Sequence, residues 1–262
     1  MRVLVTGSAR AIGATTVNIL TARGHDVIAT ARNASMLADL DCAMRLSLDV
    51  RDDASVAAAV EAAGPIDAIV NNAAISESGP LETFPLERLR DMIETNTIGA
   101  LRMIQHVAPA WRERGSGVVV NISSVQGRVS IPLSGPYGMT KFAMEAMSET
   151  LHYELGHFGI RIVLIEPGYI APGMKAADAH PGAAAYNELR RQWDGTDATL
   201  TGPAGRPGPE LVANAIADAI ENVDTPMRVR VGADAEMVLS VRSQLDDAAF
   251  EATMRQTLGL TW

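Results

Sequence analysis

Residues 2–13, RVLVTGSARAIG, decide the fold predicted for this chain. An apolar run rich in valine leads into a turn of small residues, and helical apolar spacing begins at Ile12. Small residues let the backbone of such a turn approach a pyrophosphate, and the helix N-terminus directs free N–H groups at the negative charge. Because a pair of glycines alone is equally typical of a plain tight turn, the rest of the chain decides between the two.

Beyond this turn the chain alternates predicted strands and helices. Short runs rich in β-branched residues predict strands at Val3–Thr6, Asp26–Ala31, Met44–Asp49, Ile66–Asn71, Gly117–Ser123, Ile160–Glu166 and Arg228–Val231. Helical apolar spacing lies between them, over Ile12–Arg23, Asp53–Ala63, Pro85–Arg114, Pro136–Phe158 and Pro209–Val223. This alternation is typical of a parallel sheet covered on both faces. We predict an α/β fold with a Rossmann-type, doubly wound parallel sheet of about seven strands, in three layers.

The domain organisation follows from composition and pattern. The chain is 47% hydrophobic and 20% charged, as globular proteins are, and it has no repeat, low-complexity tract or charge run. We therefore expect one domain over residues 1–262. The segment 172–209 is rich in proline and glycine, with one short helix expected near Tyr186–Trp193. Irregular segments inside α/β domains are usually binding loops, so we predict that this one becomes ordered over a substrate.

Charge and cysteine content exclude several classes of protein. The formal net charge of -9 and pI of about 5.0 argue against a nucleic-acid partner. Cys42 is the single cysteine, and the histidines show no ligand spacing, so we expect no disulfide and no metal. No apolar stretch approaches the ~20 residues that cross a bilayer, and the first strand begins directly after Met1. We expect a cytoplasmic protein without a signal peptide or membrane anchor.

The glycine turn resembles the motif Thr-Gly-x-x-x-Gly-x-Gly of the short-chain dehydrogenase/reductase family, with Ala11 in place of the middle glycine. Further motifs of that family stand at the carboxyl ends of predicted strands, where open parallel sheets bind ligands: Asp49-Val50, Asn71-Asn72-Ala73-Ala74 and Pro167-Gly168-Tyr169-Ile170. The resemblance covers about residues 2–172 and implies a nicotinamide dinucleotide. The residues implied to bind it are Gly7, Ser8, Arg10, Ile12, Gly13, Arg32, Asp49, Val50, Asn72, Ala73, Tyr137, Lys141, Pro167, Gly168 and Ile170.

A second group of residues resembles the catalytic set of the same family. Tyr137 and Lys141 share one helical face, and Ser124 precedes Tyr137 by thirteen residues. Hydride delivery to a carbonyl leaves an alkoxide, so a proton donor must stand beside the oxygen, and a neighbouring ammonium is expected to lower the Tyr137 pKa. Ser124 is expected to hold the substrate oxygen. By resemblance, Asn96 holds a water that links Lys141 to solvent.

These residues predict an oxidoreductase that transfers a hydride between NADP(H) and an alcohol/carbonyl pair. NADP(H) is favoured because Ala31 stands where an NAD-specific enzyme offers a carboxylate to the ribose. The guanidinium groups of Arg32 and Arg10 suit a 2′-phosphate. The substrate is expected to be a largely apolar ketone or aldehyde. Candidate wall residues of its site are Gln126, Val129, Tyr169, Met174, Tyr186 and Trp193.

Two other functions stay open at this point. A catalytically weak, dinucleotide-binding regulator or scaffold on the same fold is favoured by Ala11, Ala74 and Pro172, which replace two glycines and a threonine of the family's motifs. The intact Asn96, Ser124, Tyr137 and Lys141 argue against it, because a scaffold needs none of them. The other is an epimerase or dehydratase, for which the short C-terminal portion leaves little room.

The resemblance also implies an assembly. The family packs helices that match Pro85–Arg114 and Pro136–Phe158 across a symmetric interface, so we expect a homodimer or homotetramer. The apolar residues expected on the outer faces of these helices are Met92, Leu101, Met147 and Leu151. The same spacing is equally compatible with packing onto the sheet, so the structure has to separate the two.

Overall fold

The computed structural model describes residues 1–172, 183–203 and 205–262. Its described strands form one parallel sheet in the order β3-β2-β1-β4-β5-β6-β7. They are β1 (Arg2–Val5), β2 (Asp26–Ala31), β3 (Met44–Ser47), β4 (Ala68–Asn71), β5 (Gly117–Ile122), β6 (Ile160–Pro167) and β7 (Arg228–Val231). Every predicted strand is present with its ends displaced by at most two residues. The predicted doubly wound sheet is confirmed.

Helices connect the strands. They are α1 (Ala11–Ala22), α2 (Asp53–Ala63), α3 (Leu86–Ile93), α4 (Gly99–Arg114), α5 (Gly135–Gly156), α6 (Asn187–Asp194), α7 (Asp197–Thr201), α8 (Glu210–Glu221), α9 (Ala233–Gln244) and α10 (Asp247–Leu258). Four of the five predicted helices correspond to α1, α2, α5 and α8. Among the described residues, no helix has the length and apolar content needed to cross a membrane.

Alternate residues of each strand face different layers of helices. Val3 and Val5 of β1 belong to a core cluster that contains residues of α1 and α8. Leu4, between them, belongs to a second cluster with residues of α2, α4 and α5. Successive side chains of a strand point to opposite faces, so one apolar strand serves both cores. This arrangement produces the three predicted layers.

The fifth predicted helix, Pro85–Arg114, is wrong as a single element. The chain forms α3, then a π-helical turn over Glu94–Ile98, then α4. The turn brings Gly99 so close to Val50 that a Cβ on Gly99 would lie 2.7 Å from the Val50 Cγ2 atom. A π-turn inserts one residue without changing the composition of the helix, so apolar spacing does not reveal it.

The C-terminal quarter contains the largest difference from prediction. Helices α9 and α10 were not predicted, and they build a separate apolar cluster whose buried members include Val129, Val238 and Phe250. Within the predicted loop 172–209, α6 is close to the short helix expected there, while α7 makes the segment more regular than predicted. Residues 173–182 and 204, with Met174 among them, lie outside the described residues, so the expected ordering of this loop stays a prediction.

Candidate active site

The turn between β1 and α1 is held in shape by two glycines. Gly7 has a φ of +67°, and a Cβ there would lie 2.9 Å from the Ala73 Cα atom. At Gly13 a Cβ would lie 2.3 Å from the Gly7 carbonyl oxygen and 2.7 Å from Asn72 Nδ2. Distances below 3 Å leave no room for a methyl group, so both positions require glycine. The helix therefore starts against the turn, with its N-terminal N–H groups at this edge of the sheet.

The end of β4 fastens this turn. Asn72 Nδ2 donates to the carbonyl oxygens of Thr6 at 2.9 Å and Gly7 at 3.1 Å. In return, the Thr6 hydroxyl oxygen accepts from the backbone N–H groups of Asn72 and Ala73, each at 3.0 Å. Asn72 and Ala73, which were predicted to bind the cofactor, therefore shape the turn that would hold it.

Ser8 contributes to the shape of the glycine turn. It is fully buried, its hydroxyl donates to the Val5 carbonyl at 2.7 Å, and the hydroxyl oxygen accepts from the Thr30 N–H at 3.2 Å. These bonds tie the turn to β2, and they leave the Ser8 side chain inside the protein. The side chain of Ser8 therefore shapes the turn, and the role of Ser8 in cofactor binding stays a prediction for its backbone.

Ala11 is the first residue of α1 and has a φ of +45°. This is the left-handed region, which L-residues other than glycine, asparagine and aspartate rarely occupy. The methyl group thus introduces backbone strain where the family's motif has a glycine.

The remaining predicted cofactor residues lie around the turn at the same edge of the sheet. Arg10 and Arg32 are exposed, and neither guanidinium makes a hydrogen bond or ion pair with the described residues.

Asp49 is paired with Arg51 at 2.8 Å, and the hydrogen bond from Arg51 holds the pKa of the Asp49 carboxyl below its usual value, with a smaller contribution from the Arg32 charge. Val50 is buried next to α4. Ile12 and Ile170 pack as partly buried residues against the core that contains α1.

The Pro167-Gly168-Tyr169 segment is anchored by a residue that sequence reasoning missed. Asp234, at the start of α9, accepts a hydrogen bond from the Tyr169 N–H at 2.6 Å. A Cβ on Gly168 would lie 2.1 Å from an Asp234 carboxylate oxygen, so the carboxylate packs directly on the glycine. The only available signal was an aspartate at the start of a helix, a common position, and that helix was itself not predicted.

Ser124 and Tyr137 meet between β5 and the start of α5. Tyr137 is buried, and its hydroxyl is hydrogen-bonded to Ser124. The Ser124 hydroxyl oxygen also accepts from the Gln126 N–H at 3.1 Å, which fixes the short turn after β5. Burial raises the pKa of Tyr137 above its usual value, and the hydrogen bond from Ser124 offsets only part of this effect.

Lys141 lies one helical turn after Tyr137 and is almost fully buried. Its ammonium donates to the Ile122 carbonyl at 2.6 Å and stands 5.4 Å from the centroid of the Tyr137 ring. Burial lowers the pKa of Lys141 to about 8, while the charge of Glu145 acts in the opposite direction. The Tyr137 pKa is therefore raised overall, and not lowered as expected, because the burial of the phenol has the largest effect on it.

Asn96 lies in the π-turn and joins two other segments to it. Its Oδ1 accepts from the Ile75 N–H at 2.8 Å, and its Nδ2 donates to the Ile75 carbonyl at 2.8 Å and to the Thr140 hydroxyl at 3.1 Å. Thr140 directly precedes Lys141 and donates to the Tyr137 carbonyl at 2.8 Å. The fourth predicted catalytic residue is thus brought next to the helix that carries Tyr137 and Lys141, with its side chain fully engaged.

A cavity of about 70 Å³ lies beside Ser124. Four of the predicted wall residues line it, namely Gln126, Val129, Tyr169 and Trp193. Val238 of α9 and Met254 of α10 also line it, and these were missed because their helices were not predicted. Tyr186 instead stands with its ring 5.9 Å from that of Trp262, away from these lining residues.

Comparison with known proteins agrees with this geometry. The sequence profile described as short chain dehydrogenase matches residues 1–181. An uncharacterized oxidoreductase of Schizosaccharomyces pombe is 32% identical over 234 residues, which cover 87% of this chain and 98% of that protein. The crystal structure of a short-chain dehydrogenase from Streptomyces avermitilis is 34% identical, with a TM-score of 0.80 and 97% of each chain covered.

A second solved structure was determined with a ligand. It is a short chain dehydrogenase from Burkholderia cenocepacia in complex with NADP, 25% identical, with a TM-score of 0.77 and 96% of each chain covered. The profile match covers more than half of the present chain, and the fission-yeast relative is matched over nearly its whole length. This protein therefore belongs to the short-chain dehydrogenase family and is an oxidoreductase of that family.

Proposed function

We propose that this protein is an NADP(H)-dependent enzyme that reduces a largely apolar ketone or aldehyde to the alcohol, with Ser124, Tyr137 and Lys141 as catalytic residues. The observation that carries the proposal is that Ser124 and the buried Tyr137 meet beside an apolar cavity, with the Lys141 ammonium 5.4 Å from the centroid of the Tyr137 ring. A single domain over residues 1–262 and a cytoplasmic location, in which the free thiol of Cys42 is stable, are part of the proposal.

The residues at the turn fit a dinucleotide. Gly7 and Gly13 keep two positions of the turn free of side chains, and α1 starts there with its positive dipole end. A bound nicotinamide cofactor would supply the hydride. Arg10 lies in the glycine turn and Arg32 directly follows β2, and both are unpaired among the described residues, so they are available to bind an adenosine 2′-phosphate. Ala31, the last residue of β2, offers no carboxylate that would repel this phosphate. These features, with the NADP-bound relative, support a preference for NADP(H).

The proton chemistry of the site favours the reducing direction. Because burial raises the Tyr137 pKa, the phenol keeps its proton at neutral pH and can donate it to the alkoxide that forms on the substrate. The Ser124 hydroxyl, already bonded to Tyr137, can hold the same oxygen and stabilise its developing charge. The Lys141 ammonium stabilises the phenolate left after the transfer. We place Asn96 as the group that holds Thr140, and with it the start of this helix, in position.

The alternative of a catalytically weak dinucleotide-binding scaffold keeps one supporting observation, the strained Ala11 in the glycine turn. A panel of ketones and aldehydes, assayed with NADPH and NADH by nicotinamide absorbance, separates the two functions. The enzyme proposal requires turnover that is lost in Tyr137→Phe. The scaffold would be favoured if the wild type binds NADPH but turns over every compound in the panel no faster than Tyr137→Phe does.

The residues proposed to form the interface of a homo-oligomer differ from those considered in the sequence analysis. Met92 is fully buried, and Met147 and Leu151 pack against the core, so for these three residues the structure favours the second alternative, packing onto the sheet. The exposed apolar residues at α5 are instead Met139, Phe142, Tyr153 and, just after the helix, Phe158. Sedimentation equilibrium should give a mass of two or four times 27.8 kDa, and Phe142→Glu with Tyr153→Glu should reduce it to that of the monomer.

A further inference from the structure

Two buried carboxylates next to the catalytic residues have no role in the proton chemistry described above. Glu145 is 4% exposed and lies one helical turn after Lys141 on α5, and Glu166 is 1% exposed at the end of β6. A buried carboxylate is unfavourable unless charges and hydrogen bonds compensate it. Burial and the charge of Glu145 raise the pKa of Glu166 to about 7. The question is what this costly arrangement does.

Glu145 is bonded to the loop that carries Ser124. The Ser123 hydroxyl donates a short hydrogen bond to Glu145 Oε1. The next turn of that loop closes over the pair, because a Cβ on Gly127 would lie 2.7 Å from the Ser123 hydroxyl oxygen and 2.9 Å from Glu145 Cγ. The position of Ser124 therefore depends on a carboxylate that is reached through its neighbour Ser123.

The charged groups around Glu145 come from four parts of the fold. They are Lys141 and Glu149 on α5, Arg228 on β7, Glu166 on β6 and Arg128 in the loop after β5. Arg228 Nε donates to Glu145 Oε2 at 2.9 Å and stands 3.6 Å from Glu166 Oε1, which Arg128 approaches to 3.5 Å. Glu145 is therefore paired with Arg228, and the charge of Glu145 opposes the lowering of the Lys141 pKa by burial.

We propose that Glu145 is a positioning residue for the active site: through Ser123 it fixes the loop that carries Ser124, and its charge keeps the buried Lys141 in the ammonium form. This assignment rests on the proposed catalytic roles of Ser124 and Lys141. The proposal has two parts, the hydrogen bond to Ser123 and the effect of the Glu145 charge on Lys141, and a different substitution tests each. Glu145→Gln removes the charge but retains an oxygen that can accept from Ser123, whereas Ser123→Ala removes the hydrogen bond and retains the charge.

Glu149 is the matched control. It lies one turn further along α5, its side chain is 55% exposed, and it stands 3.6 Å from the same Arg228. Glu149→Gln therefore makes the same chemical change on the same helix without touching Ser123. A general effect of charge removal on α5 would appear in both variants, and a specific role of Glu145 in only one.

The experiment measures the dissociation constant of NADPH by fluorescence from pH 6 to 10, and turnover of a panel ketone over the same range. Loss of the Lys141 charge should weaken NADPH binding, because this lysine is expected to contact the cofactor ribose. In the wild type and Glu149→Gln, we expect the midpoint near the Lys141 pKa of about 8. In Glu145→Gln, the midpoint should move about one pH unit lower, because an opposite charge beside the ammonium is lost.

Ser123→Ala should keep the wild-type midpoint and lose turnover by roughly tenfold, since only the position of Ser124 changes. Coincident midpoints for Glu145→Gln, Glu149→Gln and wild type would overturn the charge role, and wild-type turnover in Ser123→Ala would overturn the positioning role. If Glu145→Gln does not fold, Ser123→Ala still tests the loop, and Arg228→Gln tests the charge: without the guanidinium beside Glu145 the negative charge is uncompensated, and the midpoint should move to higher pH. Failure of the proposed function is distinct, because it would abolish turnover in the wild type while the NADPH titration still reports the charge of Lys141.

Discussion

The two ends of the site, the glycine turn and the Ser124–Tyr137–Lys141 group, use their residues in different ways. At the turn, the side chains of Ser8 and Asn72 form hydrogen bonds with the backbone of the turn region itself. The surface that remains for a ligand is therefore largely backbone. At the catalytic end the side-chain atoms themselves face each other, buried and hydrogen-bonded. A backbone surface tolerates a substitution such as Ala11 at the cost of local strain. A side chain that takes part in the reaction cannot be replaced in this way. Substitutions at the catalytic end should therefore have larger effects on activity than substitutions at the turn.

The largest effect should come from Tyr137→Phe. The variant removes the proton donor and leaves the ring in its buried place, so turnover should fall by about a hundredfold or more, the usual size of a lost general acid. Steady-state assays with a panel ketone measure it. Circular dichroism and NADPH binding are the controls, and both should stay close to wild type. Turnover above about a tenth of the wild-type value would break the comparison, because the catalytic end would then tolerate substitution as the turn does.

The second effect concerns the cofactor end. Arg32→Ala removes one charge-assisted contact to the 2′-phosphate, which contributes ~1.5–3 kcal/mol, so kcat/KM with NADPH should fall roughly tenfold to a hundredfold. The value with NADH should barely change. Ala31→Asp should shift the preference toward NADH, since a carboxylate at this position suits a ribose hydroxyl and repels a phosphate. Equal losses with both cofactors would mean that Arg32 supports the fold of this edge and does not select the cofactor.

The two ends should also differ in their response to pH. Lys141 has a pKa of about 8, below its unperturbed value, so its ammonium is present below pH 8 and is lost as the pH rises through 8. Turnover should therefore be level near pH 7 and fall about tenfold per unit well above pH 8. The arginines at the turn keep their charge throughout. The ratio of kcat/KM for NADPH to that for NADH should stay constant from pH 7 to 9, and a ratio that follows turnover would show that the ends are not separate.

The sequence could predict the sheet, and the meeting of most residues of the proposed catalytic group, because both depend on local pattern. Parallel strands such as β1 are short apolar runs, and Tyr137 and Lys141 need only the helical spacing of one element. The missed features depend on distant contacts. Asp234 bonds to Tyr169, 65 residues away in the sequence, and Ser8 is buried by β2. The π-turn at Asn96 and the wall formed by Val238 and Met254 likewise exist only after packing.

The smallest effect, and the most direct test of strain at the turn, should come from Ala11→Gly. A left-handed conformation costs an L-residue about 1–2 kcal/mol, and glycine adopts it freely. Glycine also loses about 0.5–1 kcal/mol through the greater freedom of the unfolded chain. The net gain should therefore lie between zero and about 1.5 kcal/mol, and for a chain of this size each 1 kcal/mol raises Tm by about 2–4 °C. Thermal unfolding measures it.

Ala14→Gly is the control for this last effect. Ala14 lies within the same helix, and its φ is not among the positive values. The same substitution there has no strain to relieve, so it should lower Tm, by the usual cost of glycine inside a helix. NADPH binding should tighten a few-fold in Ala11→Gly only, because Ala11 stands at the helix N-terminus proposed to receive the pyrophosphate, whereas Ala14 lies one turn further along the helix. If both variants lower Tm equally, Ala11 is not strained, and the turn would be as intolerant of change as the catalytic end.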